Sequence, residues 1–100
     1  MVTSSEIKLI KELYDKEAVI HTKTHRESLK LSEILNAAGY IWCNNLTYLE
    51  LNQWNTYKAN TVHYIANGTY GSLGTALEKD YVVTEFSNIF FTNTEIKYLL

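Results

Sequence analysis

The span from Ala18 to Cys43 constrains what this chain can fold into more than any other. Ala18-Val19-Ile20-His21-Thr22 has the β-branched, nearly continuous apolar content of an interior strand. Just beyond it, Thr24 and Glu27 have the spacing of a capping box, in which two side chains satisfy amides that a helix start leaves unpaired. Leu31, Ile34, Leu35 and Ala38 then recur at i, i+3, i+4 and i+7, which predicts an amphipathic helix over 25–38 lying on a sheet. Gly39 stands where that helix needs a left-handed residue to stop. Tyr40-Ile41-Trp42-Cys43 reads as the following strand.

The flanks extend this unit. Thr3 and Glu6 form another capping box, and Ile7, Ile10, Leu13 and Tyr14 make one apolar stripe, so residues 1–16 are expected to hold an N-terminal helix. Asn44-Asn45 is a turn, and Leu46–Leu51 is either a strand or a loop that tucks its leucines inward. Asn52–Ala59 is expected to form a short helical turn or an irregular segment. Thr61–Ala66 and Thr69–Leu73 read as strands joined at Asn67-Gly68 by a two-residue type I′ hairpin, whose central positions both need positive φ. Thr75 and Glu78 would cap a short helix, and Tyr81–Phe86 has the composition of a last strand. Ile89-Phe90-Phe91 is an apolar knot, and Thr92 to Glu95 would cap a final turn carrying Ile96, Tyr98 and Leu99. The expected fold class is α+β: a small, mostly antiparallel sheet of four to six strands, with one long amphipathic helix (25–38) on a face plus the N-terminal helix. Only the first two strands would be linked by a helical crossover. The chain is expected to be a single domain over 1–100, with an N-terminal helix at 1–16, an α+β core at 17–88 and a tail at 89–100.

Composition narrows the function classes. The chain is 46% hydrophobic and 20% charged, in the globular range. Its net charge is −2 and Arg26 is its only arginine, so no basic face for specific DNA binding is expected. The lone Cys43 excludes an internal disulfide and fits a reducing compartment. The start, Met-Val-Thr-Ser-Ser-Glu, lacks the basic and apolar segments of a secretory signal, and no apolar run nears the ~20 residues of a membrane span. The expectation is a cytoplasmic protein with no membrane partner. The sequons at Asn45 and Asn67 are read as chance matches.

No cluster demands one chemistry. His21 and His25 offer imidazoles, but one falls on a strand and the other in a first helical turn, and neither C-x-x-C nor H-E-x-x-H is present; no metal and no cofactor is expected. Cys43 with His63 would make a nucleophile and base only if the thiol met an electropositive setting, and a strand does not supply one. Glu78 and Asp80 sit too close in sequence for an acid–base pair, and Glu50 and Glu85 are not known to converge. Gly71-Ser72-Leu73-Gly74-Thr75 lacks the lysine of a P-loop, although Gly74-Thr75 at a helix start can hold a single phosphate. Eight tyrosines and two tryptophans weigh more, because they exceed what one small core needs. Tyr40, Trp42, Trp54, Tyr57, Tyr64 and Tyr70 are the candidate partner- or ligand-binding residues; no catalytic residue is expected.

Six groups of residues, Ile20-His21-x-x-Thr24, Gly39-Tyr40-x-Trp42, Trp54-x-x-Tyr57, Thr61-x-x-Tyr64, Tyr70-Gly71-Ser72 and Tyr81-Val82-Val83-x-Glu85-Phe86-Ser87, carry a resemblance. Over residues 18–88 the chain resembles a group of short proteins encoded by phages and prophages of Gram-positive hosts, mostly without assigned function. Many of those proteins have a glycine before the last strand, where this chain has Asp80. The resemblance implies a small protein that disables a host defence by binding. Joined to the tyrosine surplus and the net charge, the expectation is a non-enzymatic counter-defence protein that inhibits a host defence protein, anti-CRISPR-like, through a tyrosine-rich, mildly acidic face and as a homo-oligomer. The alternative is a nucleotide-binding sponge that sequesters a cyclic signalling nucleotide. A third reading is a small enzyme using His21, His63 or Cys43.

Overall fold

A computed structural model describes residues 2–90. Two helices precede and follow the first strand. α1 (Ser4–Asp15) opens with the Thr3–Glu6 box, each side chain accepting from the other residue's amide. β1 (Val19–Thr22) leads into α2 (His25–Ala37), where Thr24 caps the Glu27 amide while the Glu27 carboxylate reaches back one residue further, to the Lys23 N–H. A single turn, α3 (Trp54–Tyr57), and a 3₁₀ turn (Lys58–Asn60) precede β2 (Thr61–Tyr64). β3 (Thr69–Ser72), α4 (Leu73–Glu78) and β4 (Val83–Glu85) follow, and the 3₁₀ turn Phe86–Asn88 closes the described chain.

The fold is α+β around a four-stranded sheet in the order β3-β2-β1-β4. The sheet is mixed: β1–β2 and β2–β3 are antiparallel, whereas β1–β4 is parallel, with Val19 opposite Val83 and His21 opposite Glu85. Two expectations are thereby corrected. The parallel partner of β1 is the last strand, not Tyr40–Cys43. No single long helix dominates either, since α1 has 12 residues and α2 has 13.

Alternation along the strands builds two apolar layers. One face carries Ile20 and packs with Ile10 of α1, Leu31, Ile34 and Leu35 of α2, and Trp42, Tyr48, Phe86 and Phe90. The opposite face carries Val19 and Val62 under Ala76 of α4. An ion pair from Glu6 to Lys30, at 3.5 Å and largely shielded from solvent, ties α1 to α2.

Residues 40–51 depart furthest from expectation. Ile41 makes one isolated bridge to Thr47 and no strand forms. Asn45, at φ 72°, turns the chain so that the Trp42 amide donates to the Leu46 carbonyl at 2.9 Å. Thr47 and Glu50 then cap each other reciprocally, both bonds 3.1 Å, and coil the backbone where an extended strand was one option. Tyr48 and Trp42 go into the core, Leu51 packs against it half-buried, and Leu46 and Leu49 stay exposed. The Trp42 indole N–H donates to the Leu51 carbonyl at 2.8 Å, and Asn52 donates to Ser28 and Ser32 of α2, so the loop is pinned at both ends.

The hairpin after β2 is also longer than expected. Tyr64 pairs with Thr69, leaving the four residues 65–68 as the loop, and of Asn67 and Gly68 only Gly68 has positive φ. The longer loop lets Ile65 enter the core. The cap of α4 is Ser72, not Thr75, because the Ser72 hydroxyl accepts from the Thr75 amide. Expectations for Phe91, for Thr92–Glu95 and for the residues they would cap lie outside the described residues.

Candidate functional site

Both ends of the sheet bring polar or aromatic side chains together. At the end where β1 and β4 finish, their parallel register sets His21 beside Glu85. The His21 Nδ1 contacts both Glu85 carboxylate oxygens at 2.8 and 2.9 Å, and Nε2 contacts the Ala59 carbonyl at 2.7 Å. Each ring nitrogen therefore faces an acceptor oxygen. Lys23 lies 3.5 Å from the same carboxylate. A ring engaged on both nitrogens and buried has none left for a substrate; it clamps the 3₁₀ turn Lys58–Asn60 to the sheet.

His63 and Cys43 do not join it. Cys43 is exposed, with its backbone amide bonded to the Gly68 carbonyl at 3.0 Å. His63 is sealed on the α2-facing side of the sheet beside Trp42, their ring centroids 5.8 Å apart. Burial pushes its imidazole down to about 4. Among the described residues no group of three His, Cys, Asp or Glu could hold a metal ion.

The six candidate aromatics fall into separate sets. Trp42 is 3% exposed and packs with Tyr48 and Tyr70 as core, with Tyr57 touching Tyr70 from outside. Trp54 stacks on His25, at the His21 end. Tyr40 and Tyr64 lie at the other end, on the two sides of the 65–68 hairpin.

That second end is where tyrosines collect. Tyr40 stacks face to face on Tyr14, with centroids 4.2 Å apart and planes 5° from parallel, beside a depression of about 320 Å³ that also borders Ile41, Ala66 and Asn67. Across the hairpin, Tyr64 meets Tyr81 edge to face at 5.3 Å, lining a second depression of about 180 Å³ that shares Ala66 and Asn67 with the first. Gly71 makes room for this arrangement: a Cβ there would sit 3.1 Å from the Tyr64 ring. Desolvation pushes the Tyr40 and Tyr64 phenols up, with Asp15 and Tyr14 adding to the first and Tyr81 to the second, so both stay neutral hydrogen-bonding groups.

Three helices run toward this end and stop there in the same way. After α1, α2 and α4 a left-handed residue (Glu17, Gly39 and Asp80) bonds back to the helix, and so does the residue after it. Tyr40 and Tyr81 occupy equivalent places, the second residue past the cap of α2 and of α4. Helix C-termini carry partial negative charge, and Asp15, Glu17, Glu78 and Asp80 add to it. Leu77, Tyr81 and Val82, exposed by 56%, 45% and 87%, give this rim apolar side chains as well. Tyr14 and Tyr81 were not among the six candidates. Tyr14 looked like the last member of the α1 stripe, and Tyr81 like the first residue of a strand.

No known protein family matches the chain, and neither the curated proteins nor the solved structures include a match. No helix among the described residues is long and apolar enough to cross a membrane.

Proposed function

We propose that the chain is a non-enzymatic counter-defence protein that docks its tyrosine-lined end on a host defence protein and inhibits it, anti-CRISPR-like, in the host cytoplasm and as a homo-oligomer. The observation that supports this is the convergence of Tyr14, Tyr40, Tyr64 and Tyr81, four of the eight tyrosines, on two adjoining depressions. Tyrosine brings large contact area with few rotors to freeze, which is why binding surfaces favour it. The exposed Leu77 and Val82 add area that water does not reward. The acids at the helix ends suit a basic surface, and a nucleic-acid-handling effector presents one to phosphates.

The test is to express the chain in host cells that carry one defence system at a time, measure phage plating, and purify the chain with the effector whose activity falls. Restored plating together with a stoichiometric complex supports the reading. Stabilisation of the isolated chain by a cyclic dinucleotide, with no effector bound, would replace it with the sponge. Light scattering on the purified chain measures the oligomer.

A further inference from the structure

We propose that the pocket lined by Tyr64 and Tyr81 is a binding site for an alkylammonium group, as carried by a lysine side chain. Six residues line it: Glu17, Val19, Tyr64, Ala66, Asn67 and Tyr81. Val19 is buried and gives the pocket an apolar boundary, while the two phenol rings, in edge-to-face contact with their planes at 66°, both line it. Ring faces carry negative charge in their quadrupole and attract a cation within about 6 Å of the centroid. Two rings set near a right angle, with an apolar boundary, suit a group that is positive but weakly hydrated. At about 180 Å³ the space holds the end of a lysine side chain or a trimethylammonium head and little more.

Charge points the same way. Glu17 lines the pocket, and its carboxylate pairs with no cation among the described residues. α1 ends beside it in Asp15-Lys16-Glu17, and α4 ends in Glu78-Lys79-Asp80 immediately before Tyr81, two acids to one lysine in each. The left-handed turn at Glu17, φ 55°, is the same helix termination seen at Gly39 and Asp80, and it sets this acidic residue on the pocket wall.

The site stands whether or not this end docks on a defence protein, because a free cation tests it. The experiment follows the Tyr64 and Tyr81 ring resonances by NMR as choline, trimethyllysine amide or 3,3-dimethylbutan-1-ol, the uncharged isostere of choline, is added to the intact chain. Saturable shifts confined to these rings are expected with both cations, and binding of the isostere weaker by roughly threefold or more. Tighter binding of the lysine derivative would assign the site to a protein side chain; equal binding would assign it to the ammonium head alone. Tyr81→Ala should abolish the shifts. Glu17→Gly, which relieves the backbone, should weaken binding while raising the melting temperature, so loss of binding cannot be put down to unfolding. Equal shifts with the isostere, unchanged binding in Tyr81→Ala, or no shift at either ring would overturn the proposal.

Discussion

Among the described residues neither ring nitrogen of His63 has a hydrogen-bond partner, and His63 is 1% exposed. The folded chain holds this imidazole neutral down to about 4, against an ordinary value near 6.5. Between those values the unfolded chain binds a proton that the folded chain refuses. The resulting stability is therefore present in full above pH 6.5 and drains as pH falls, by roughly 3 kcal/mol near pH 4. Urea melts of the wild type and of His63→Leu at pH 7 and pH 4.5 measure it: the variant should lose clearly less stability between the two. Gly68 carries a second consequence. Its φ is +66°, and a Cβ would lie 2.8 Å from the Cys43 amide nitrogen and 3.0 Å from the Ile41 carbonyl oxygen, both backbone atoms. Gly68→Ala should cost about 3 kcal/mol, from the left-handed conformation and the overpacking together, read as a lower denaturation midpoint. Asn67-Gly68 announced a turn correctly, but its type followed from the Ile65 side chain, which needs a loop long enough to reach the core.

Among the elements, the helix ends separate local signals from tertiary ones. α1 and α2 were legible because capping side chains and three- to four-residue apolar spacing are written within a few positions of one another. The end of α2 at Gly39 was legible for the same reason. The same termination recurs at Glu17 and Asp80, where no glycine marks it. Replacing either by glycine should stabilise the fold by about 1 kcal/mol, or several degrees in melting temperature for a domain this small, measured by calorimetry. Tyr40–Cys43 was misread as a strand because its composition is that of one. Only the bridge to Thr47 and the Trp42 bond to Leu51 show that it is a loop folded over a core. The Thr47–Glu50 box was readable and would have argued against a strand at Leu46–Leu51, since its spacing matches the boxes that open α1 and α2.

For the whole molecule, what sequence could not supply is which distant segments meet. The parallel pairing of β1 with β4, more than sixty residues later, puts α4 on the second face and brings its C-terminus beside that of α1. The tyrosine-lined end is a product of that pairing, which explains why Tyr14 and Tyr81 gave no sign of belonging together with Tyr40 and Tyr64. Trp54 and Tyr57 lie toward the opposite end, by His25 and the clamp on His21, and serve as a control surface. The decisive measurement is phage plating on defence-carrying cells that express the wild type, Tyr40→Ala/Tyr81→Ala, or Trp54→Ala/Tyr57→Ala, with melting curves to verify that each folds. Plating restored by the wild type and by the Trp54/Tyr57 variant, and lost by at least roughly a hundredfold with the Tyr40/Tyr81 variant, is the expected result, since aromatic anchors at an interface are worth ≥2 kcal/mol each. Full activity in a folded Tyr40→Ala/Tyr81→Ala protein would contradict it.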